Sequence, residues 1–241
     1  MCIRDSFTVS HKWLAAFRDE LKLQEVKIPF ECITRADRLT EDVIKILKDC
    51  GCFRVWIGAE SGSQKIIDAM DRRVTTTQVQ DMIIAAREHG MEAGTFIMLG
   101  YPNETEEDIQ LTLDHLCRAN PNQFTITIAY PIKGTSLYHD VEDILTEDVD
   151  WYNKTDRELD FTRTYHRRYY DFAVRWVVNG VHFHKQKIKG NLFSFAALKF
   201  FIKIIIARLG MWWFRLIGWK KSTNELSTEL SETSKSILPN S

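Results

Sequence analysis

The 241-residue sequence predicts an α/β fold built on parallel strands and followed by a helical region. Over residues 1–140, short apolar runs alternate with amphipathic segments about every 30 residues, as in repeated strand–helix–strand units. Beyond that point, aromatic and basic residues recur at helical spacing without strand-like alternation. The alternating part is typical both of (β/α) barrels and of open doubly wound sheets, and periodicity alone does not separate the two.

Four apolar runs rich in Ile, Phe, Val and Thr are the predicted strands, at residues 28–33, 53–58, 94–99 and 124–130. Each gap between them carries a helical pattern. The first predicted helix, "LTEDVIKILKDCGC", has Thr40 as its N-cap and ends at Gly51. The second ends at Gly90, and the third, residues 103–120, begins with acidic side chains that favour a helix N-terminus.

The amino-acid composition limits which binding partners and which cellular compartment are expected. Lys and Arg number 32 against 33 Asp and Glu, so the overall charge does not favour nucleic acid or another strongly charged partner. The N-terminus has no apolar run of signal-peptide length, and the five cysteines lack disulfide-like spacing. These features predict a cytoplasmic protein.

The C-terminal third is predicted to be helical. Residues 192–219 are strongly apolar, but basic residues interrupt them too often for a membrane span. Arg208 falls opposite Lys199 and Lys203 on a helical wheel, so two shorter helices divided at Gly210 are expected. The tryptophans here suit a membrane interface, a partner groove or the protein's own core. The predicted domains are therefore 1–140, a partial barrel; 141–220, a helical extension; and 221–241, a disordered tail.

Polar residues and glycines gather where the predicted strands end, and ligands of parallel α/β folds bind at those carboxyl ends. The residues concerned are Glu31, Arg35, Gly58, Glu60, Ser61, Gly100, Glu104, Tyr130, Pro131 and Gly134. Gly100 would let a flat ring approach the backbone. Alternatively, Gly100 and Pro102 form only the turn into a helix capped by Asn103 or Thr105.

Four stretches, "ITRADRLTEDVIKILKDCGC", "VWIGAESGSQKIIDAMDRRVTTTQV", "FIMLGYPNETEEDI" and "YPIKGTSLY", occur in this order. Together they resemble the later part of a radical S-adenosylmethionine (SAM) domain, of the subgroup that often carries a cobalamin-binding domain and includes anaerobic cyclase-like and methyltransferase-like enzymes. The resemblance covers residues 5–140. It implies an incomplete (β/α) barrel, of which this chain would hold about four to five strands.

The resemblance also implies roles for single residues. The strand Gly94–Leu99, with Gly100, is similar to the adenine-contacting strand of the family, and Glu31 to a ribose-facing acid. Glu60 and Arg72 resemble the residues that face the methionine carboxylate. The expected cofactor-binding set is Glu31, Gly58, Glu60, Ser61, Arg72, Leu99, Gly100, Tyr130 and Pro131.

Simpler interpretations of several polar residues at the strand ends stay open. Glu60 and Arg72 could form an ordinary ion pair, and the neighbouring Arg73 leaves the register uncertain. Ser61 could merely cap a helix. Arg35 is more readily interpreted as a structural brace than as a cofactor ligand.

The family's three-cysteine "CxxxCxxC" loop, which holds a 4Fe-4S cluster, has no match among the five cysteines. Because "RDSF" resembles the end of the family's second strand, we expect the loop to lie upstream of Met1, in a longer parent. Cys50 and Cys52 are expected to be buried apolar residues, and the "HFH" at residues 182–184 to be surface imidazoles; we predict no metal ligand in this chain.

The resulting hypothesis is a fragment of a radical SAM enzyme that acts on an organic, small-molecule or lipid-like substrate. Its cofactors would be S-adenosylmethionine, a 4Fe-4S cluster held upstream, and cobalamin where a further domain carries it. The chain alone is expected to be inactive. The alternative is a non-catalytic module that docks on a membrane or a protein through residues 192–219.

Overall fold

The computed structural model describes residues 7–146 and 159–236, of which 218–236 are described by their backbone alone. Its centre is one sheet of four parallel strands in the order β1-β2-β3-β4. The strands are β1 (Phe30–Thr34), β2 (Cys52–Glu60), β3 (Glu92–Leu99) and β4 (Gln123–Ile128). All four lie within two residues of their predicted limits, and the predicted partial barrel with a helical extension is confirmed.

Helices precede and connect the strands. They are α1 (His11–Leu23), α2 (Glu41–Asp49), α3 (Gln64–Ala69), α4 (Thr76–Glu88), α5 (Glu106–Ala119), α6 (Ser136–Val141), α7 (Arg167–Ile188) and α8 (Phe195–Ser236). As predicted, Thr40 caps α2 by accepting a bond from the Val43 N–H, at 3.3 Å. Thr105 caps α5 in a capping box with Asp108, so of the two predicted caps the threonine is the one used.

The two faces of the sheet differ. Side chains such as Val55, Ile57 and Ile97 point toward the helices and are essentially inaccessible to solvent. The alternate positions, including Trp56 and Phe96, lie on the other face and are only partly buried. Because successive side chains of a strand alternate between faces, this second face is the concave side of the partial barrel.

The helical extension shares its core with the sheet. Tyr169, Tyr170 and Trp176 of α7 and Met211 of α8 belong to the same buried cluster as the strand residues. Residues 147–158 lie outside the described part of the chain.

One prediction about the extension is wrong. α8 runs without a break through Gly210. A Cβ at that position would lie 2.3 Å from the Phe172 ring of α7, so glycine serves close helix packing there. The backbone of residues 221–236 continues α8, and the disorder expected for the tail stays a prediction. The last residues, 237–241, are outside the described part.

Candidate functional site

A cavity of about 280 Å³ opens on the concave face at the carboxyl ends of β1 and β2, and is called here the strand-end cavity. Its lining consists of Ile33, Thr34, Arg35, Ala36, Gly58, Glu60, Arg72, Val74 and Phe96. Three predicted cofactor-binding residues, Gly58, Glu60 and Arg72, are thus brought together.

The acid and the base of this cavity form an ion pair. The Arg72 guanidinium donates through Nη2 to Oε1 of Glu60. Glu60 ends β2 just after an irregularity in the pairing with β3, and its φ of 61° lies in the left-handed region, a strained conformation for glutamate. The adjacent Arg73 instead pairs with Asp71 and has a side chain that is 79% exposed, so Arg72 is the arginine that faces the cavity.

Gly58 makes room for that pair. A Cβ built on Gly58 would lie 3.1 Å from Oε1 of Glu60 and 3.5 Å from Nη2 of Arg72. Any larger side chain would therefore push into the space that the two charged groups and the cavity occupy.

Arg35 lines the cavity but is held by its own neighbours. It donates two bonds to Asp37, at 2.8 and 3.2 Å, and one to the backbone carbonyl of Arg72, at 3.0 Å. These bonds hold the pKa of the Asp37 carboxyl below its ordinary value. They also fix the turn that carries Arg72, in agreement with the interpretation of Arg35 as a brace.

Phe96 is a cavity residue that the sequence argument did not single out. Its ring stacks on Trp56, with centroids 4.9 Å apart and planes 20° from parallel. The signal was present in the alternation of β3, which places Phe96 on the same face as Gly94.

Two predicted residues face the helices rather than the cavity. Ser61 is 1% exposed, lies 3.2 Å from the Thr112 hydroxyl of α5, and accepts a bond from the Ser63 N–H at 3.1 Å. Leu99 is fully buried in the core at the end of β3. Because their side chains point to the opposite face of the sheet, neither residue lines the strand-end cavity, and their predicted cofactor contacts stay predictions.

Glu31 lies at the wrong end of its strand for the predicted role. It is the second residue of β1 and stands beside Arg54, which precedes Glu60 by six residues, about 20 Å along a strand. Its carboxylate accepts bonds from Arg54 Nη1 at 2.9 Å and from the Trp56 ring nitrogen at 3.0 Å, which lower its pKa. The prediction that Glu31 joins Glu60 and Gly100 at one cavity is therefore wrong. Glu31 instead borders a separate groove with Phe7 and Trp13.

Gly100 does follow β3, but it is enclosed. Its φ is +80°, and its N–H donates to Oε2 of Glu104 at 2.5 Å. A Cβ there would lie 3.2 Å from the Arg163 side chain and 3.4 Å from the Tyr170 ring. Arg163 also donates to the carbonyl of Ala129, so it covers the ends of β3 and β4. The adenine contact at Gly100 stays a prediction.

The polar side chains near Gly100 are almost entirely shielded from solvent; we call Glu104, Arg163 and Tyr170 the buried tip cluster. Burial raises the pKa of the Glu104 carboxyl to about 8. One atom of each side chain, namely Glu104 Oε1, Arg163 Nε and the Tyr170 hydroxyl, has no hydrogen-bond partner among the described residues. Neither Arg163 nor Tyr170 was singled out, because both contacts join positions more than 60 residues apart in the chain.

Tyr130 and Pro131 lie just beyond β4, and neither is among the residues that line the strand-end cavity. Their predicted cofactor contacts stay predictions.

The described residues contain no group of three or more His, Cys, Asp or Glu arranged to hold a metal ion. Cys32, Cys50 and Cys52 are buried in the core, as expected for small apolar side chains. His182 is exposed, as predicted for a surface imidazole, and its ring stacks on Phe200 with centroids 5.2 Å apart. The donor set of a 4Fe-4S cluster is thus not assembled in the described part of the chain.

Comparison with known sequences assigns this region to a family. Residues 9–116 match the model of the Radical SAM superfamily. An uncharacterised methyltransferase of Pyrococcus horikoshii is 30% identical over 135 residues, which cover 56% of this chain and 29% of the relative. A tRNA-2-methylthio-N(6)-dimethylallyladenosine synthase of Clostridium tetani is 31% identical over 115 residues, or 46% of this chain and 25% of the relative.

The chain therefore spans less than a third of the length of these two curated relatives.

Among solved structures, the cobalamin-dependent S-adenosylmethionine radical enzyme OxsB superposes with a TM-score of 0.54 at 14% identity, over 81% of this chain and 37% of that one. At this identity the likeness shows the fold alone. Strands β1 to β3, the helices α1 to α4 and most of α5 thus lie within residues 9–116, the segment that matches the Radical SAM superfamily, and β4 follows directly.

Proposed function

We propose that this chain is part of a radical SAM enzyme and that its strand-end cavity holds the amino-acid end of S-adenosylmethionine. The observation that carries the proposal is the Glu60–Arg72 pair, which lines a cavity at strand carboxyl ends within the superfamily segment. Ligands of parallel α/β folds collect at these ends.

The donor set fits the amino-acid end of the cofactor. That end carries a carboxylate and an ammonium group, which match the guanidinium of Arg72 and the carboxylate of Glu60. The Arg72 side chain is 39% exposed, so its remaining N–H groups are accessible to a ligand. The cavity, at about 280 Å³, is slightly smaller than the ~300–1,000 Å³ of typical ligand pockets, which suits one end of the molecule rather than all of it.

In this proposal the chain's residues bind and orient the cofactor. Arg72 fixes the carboxylate, Glu60 accepts from the ammonium group, and Gly58 leaves the space that both need. Arg35 holds the Arg72 turn through its bond to the backbone carbonyl. S-adenosylmethionine, when bound, supplies a methyl or an adenosyl group. The described residues do not fit the 4Fe-4S cluster, so its ligands would lie upstream and the chain alone would be inactive.

The names of the two curated relatives support a general class of reaction for this chain. The two curated relatives are named as a methyltransferase and a methylthio-adenosine synthase, which supports transfer of a methyl or methylthio group to an organic substrate. The same names favour an enzyme over a non-catalytic module.

Calorimetric titration of the chain with S-adenosylmethionine tests the proposal. Arg72→Gln should weaken binding about 10- to 150-fold, the usual range for a lost charged hydrogen bond. Arg73→Gln changes the adjacent exposed arginine and should leave the affinity within about twofold of the unaltered chain.

A second ligand separates the binding role from a folding defect. 5′-Methylthioadenosine lacks the amino-acid end, so its affinity should be the same for the chain and for Arg72→Gln. No binding of S-adenosylmethionine, or equal losses for the two arginine variants, would overturn the proposal.

A further inference from the structure

Charge is distributed very unevenly along the chain. Between Phe172 and Asn224 there are ten basic residues and no Asp or Glu, which leaves 22 basic and 33 acidic residues elsewhere. The ten are Arg175, Lys185, Lys187, Lys189, Lys199, Lys203, Arg208, Arg215, Lys220 and Lys221. The net charge of the whole chain is therefore close to zero, although the α7–α8 hairpin is basic and the rest of the chain is acidic.

The outward face of α8 is apolar. Its inner side packs on α7 through residues such as Ala207 and Met211, each 1% exposed. The opposite side carries large apolar side chains that are between 45% and 60% exposed, namely Ile202, Ile205, Ile206, Leu209 and Trp213. At about 100° per residue these side chains form one continuous stripe, which we call the α8 stripe.

The turn between the two helices extends this apolar surface. Phe193 is 100% exposed and Phe195 84% exposed. Phe193 borders an apolar cavity of about 380 Å³ together with Leu192, Leu198 and neighbouring residues. Lys187 and Lys189, at the end of α7, lie next to this turn in the sequence.

Basic side chains border the α8 stripe on both sides. Lys199 and Lys203 lie along one edge and are exposed. Arg208 and Arg215 lie along the other, where both reach the Glu106 carboxylate at the start of α5. An apolar stripe with tryptophan and with basic flanks is the pattern of helices that lie in the plane of a membrane interface.

We propose that the α7–α8 hairpin docks on the surface of an anionic lipid bilayer, with α8 lying in the plane of the headgroups. Within the described residues no helix has the length and apolar character to cross a membrane, so the contact would be peripheral. Charge complementarity selects this occupant: a second copy would bring two basic faces together. Nucleic acid would match the charge, but it would not bury a stripe of aliphatic side chains.

Flotation of the full 241-residue chain with lipid vesicles tests the proposal. Vesicles containing about 30% phosphatidylglycerol should carry the protein, and phosphatidylcholine alone should carry much less. Lys199→Glu with Lys203→Glu should lower the partition coefficient at least about 30-fold, because each basic side chain lost near an anionic surface contributes a factor of about five and each new glutamate adds repulsion. Ile205→Gln with Leu209→Gln should lower it at least about tenfold.

The control is Leu23→Gln with Lys27→Glu, an exposed apolar and an exposed basic residue remote from α8, which should float like the unaltered chain. Absence of flotation, equal flotation on both lipids or indifference to the α8 changes would overturn the proposal. So would tRNA binding without vesicle binding, or a dimer in light scattering that the Ile205 and Leu209 changes dissociate.

Discussion

The ends of β2 and β3 are neighbours in the sheet, yet one is open and the other is closed. At the end of β2 the Glu60–Arg72 pair borders a cavity, with side chains 16% and 39% exposed. At the end of β3 the buried tip cluster encloses Gly100, and Arg163 keeps only 2% of its side chain exposed. The difference arises from the helical extension, which contributes Tyr170 to the end of β3.

The contrast separates two uses of polar groups. Glu60 and Arg72 retain donors and acceptors that a ligand can reach, whereas the buried tip cluster keeps three polar atoms that no described residue satisfies. Polar groups that a ligand can reach favour binding. Buried polar groups are instead explained by the contacts that they make within the fold. We expect changes at β3 to affect mainly stability and changes at β2 to affect mainly binding.

The largest effect is expected for Tyr170→Ala. Tyr170 is fully buried in the shared core, so the truncation should lower the free energy of unfolding by about 3–5 kcal/mol. Tyr170→Phe removes only a hydroxyl that has no partner among the described residues, and should be neutral or slightly stabilising. Urea denaturation measures both. Equal destabilisation by the two variants would mean that the hydroxyl is needed after all.

Glu104→Gln should alter the pH dependence of stability. Burial raises the pKa of Glu104 from 4.5 to about 8, so as the pH rises the unfolded chain releases this proton before the folded chain does. The carboxyl therefore lowers the free energy of unfolding by about 1.4 kcal/mol per pH unit between pH 4.5 and 8. The glutamine cannot titrate, so its stability relative to the unaltered chain should increase over that window.

Denaturation at several pH values between 5 and 8 gives the difference curve. Glu107→Gln is the matched control three residues further along the chain, because hydrogen bonds at the start of α5 hold the pKa of that exposed carboxyl below its ordinary value. Its difference curve should not rise with pH. A flat curve for Glu104→Gln would show that the carboxyl is ionised in the fold.

Local rules explain what could be predicted from the sequence. Strand runs, the Thr40 cap and the glycine at the end of α2 depend on residues a few positions apart, and all three were predicted correctly. The Glu60–Arg72 pairing could also be anticipated, since only a short helix and turn separate the two residues.

What the sequence could not show depends on faces and distant contacts. Glu31 was taken for a strand end because it is polar, but it lies near the start of β1, where its side chain is 47% exposed and a charge is tolerated. Arg163 reaches Gly100 across 63 residues, and no local pattern marks such a contact. Gly210 was predicted to divide two helices. The actual reason for a glycine there is its close packing against Phe172 of α7, a contact between two helices that no local pattern marks.

The smallest effects on stability are expected for alanine substitutions of Gly100, which follows β3, and Gly58, near the end of β2. Gly100→Ala places a side chain at a φ of +80° and against Arg163, so it should cost about 1–2 kcal/mol of unfolding free energy. Gly58→Ala meets only the ends of the Glu60 and Arg72 side chains, which can move, and should cost less than about 1 kcal/mol. It should nevertheless weaken S-adenosylmethionine binding, since the added methyl group enters the cavity. If instead Gly100→Ala impaired binding and left stability unchanged, the enclosed end of β3 would be the ligand site and the assignment of the two strand ends would have to be exchanged.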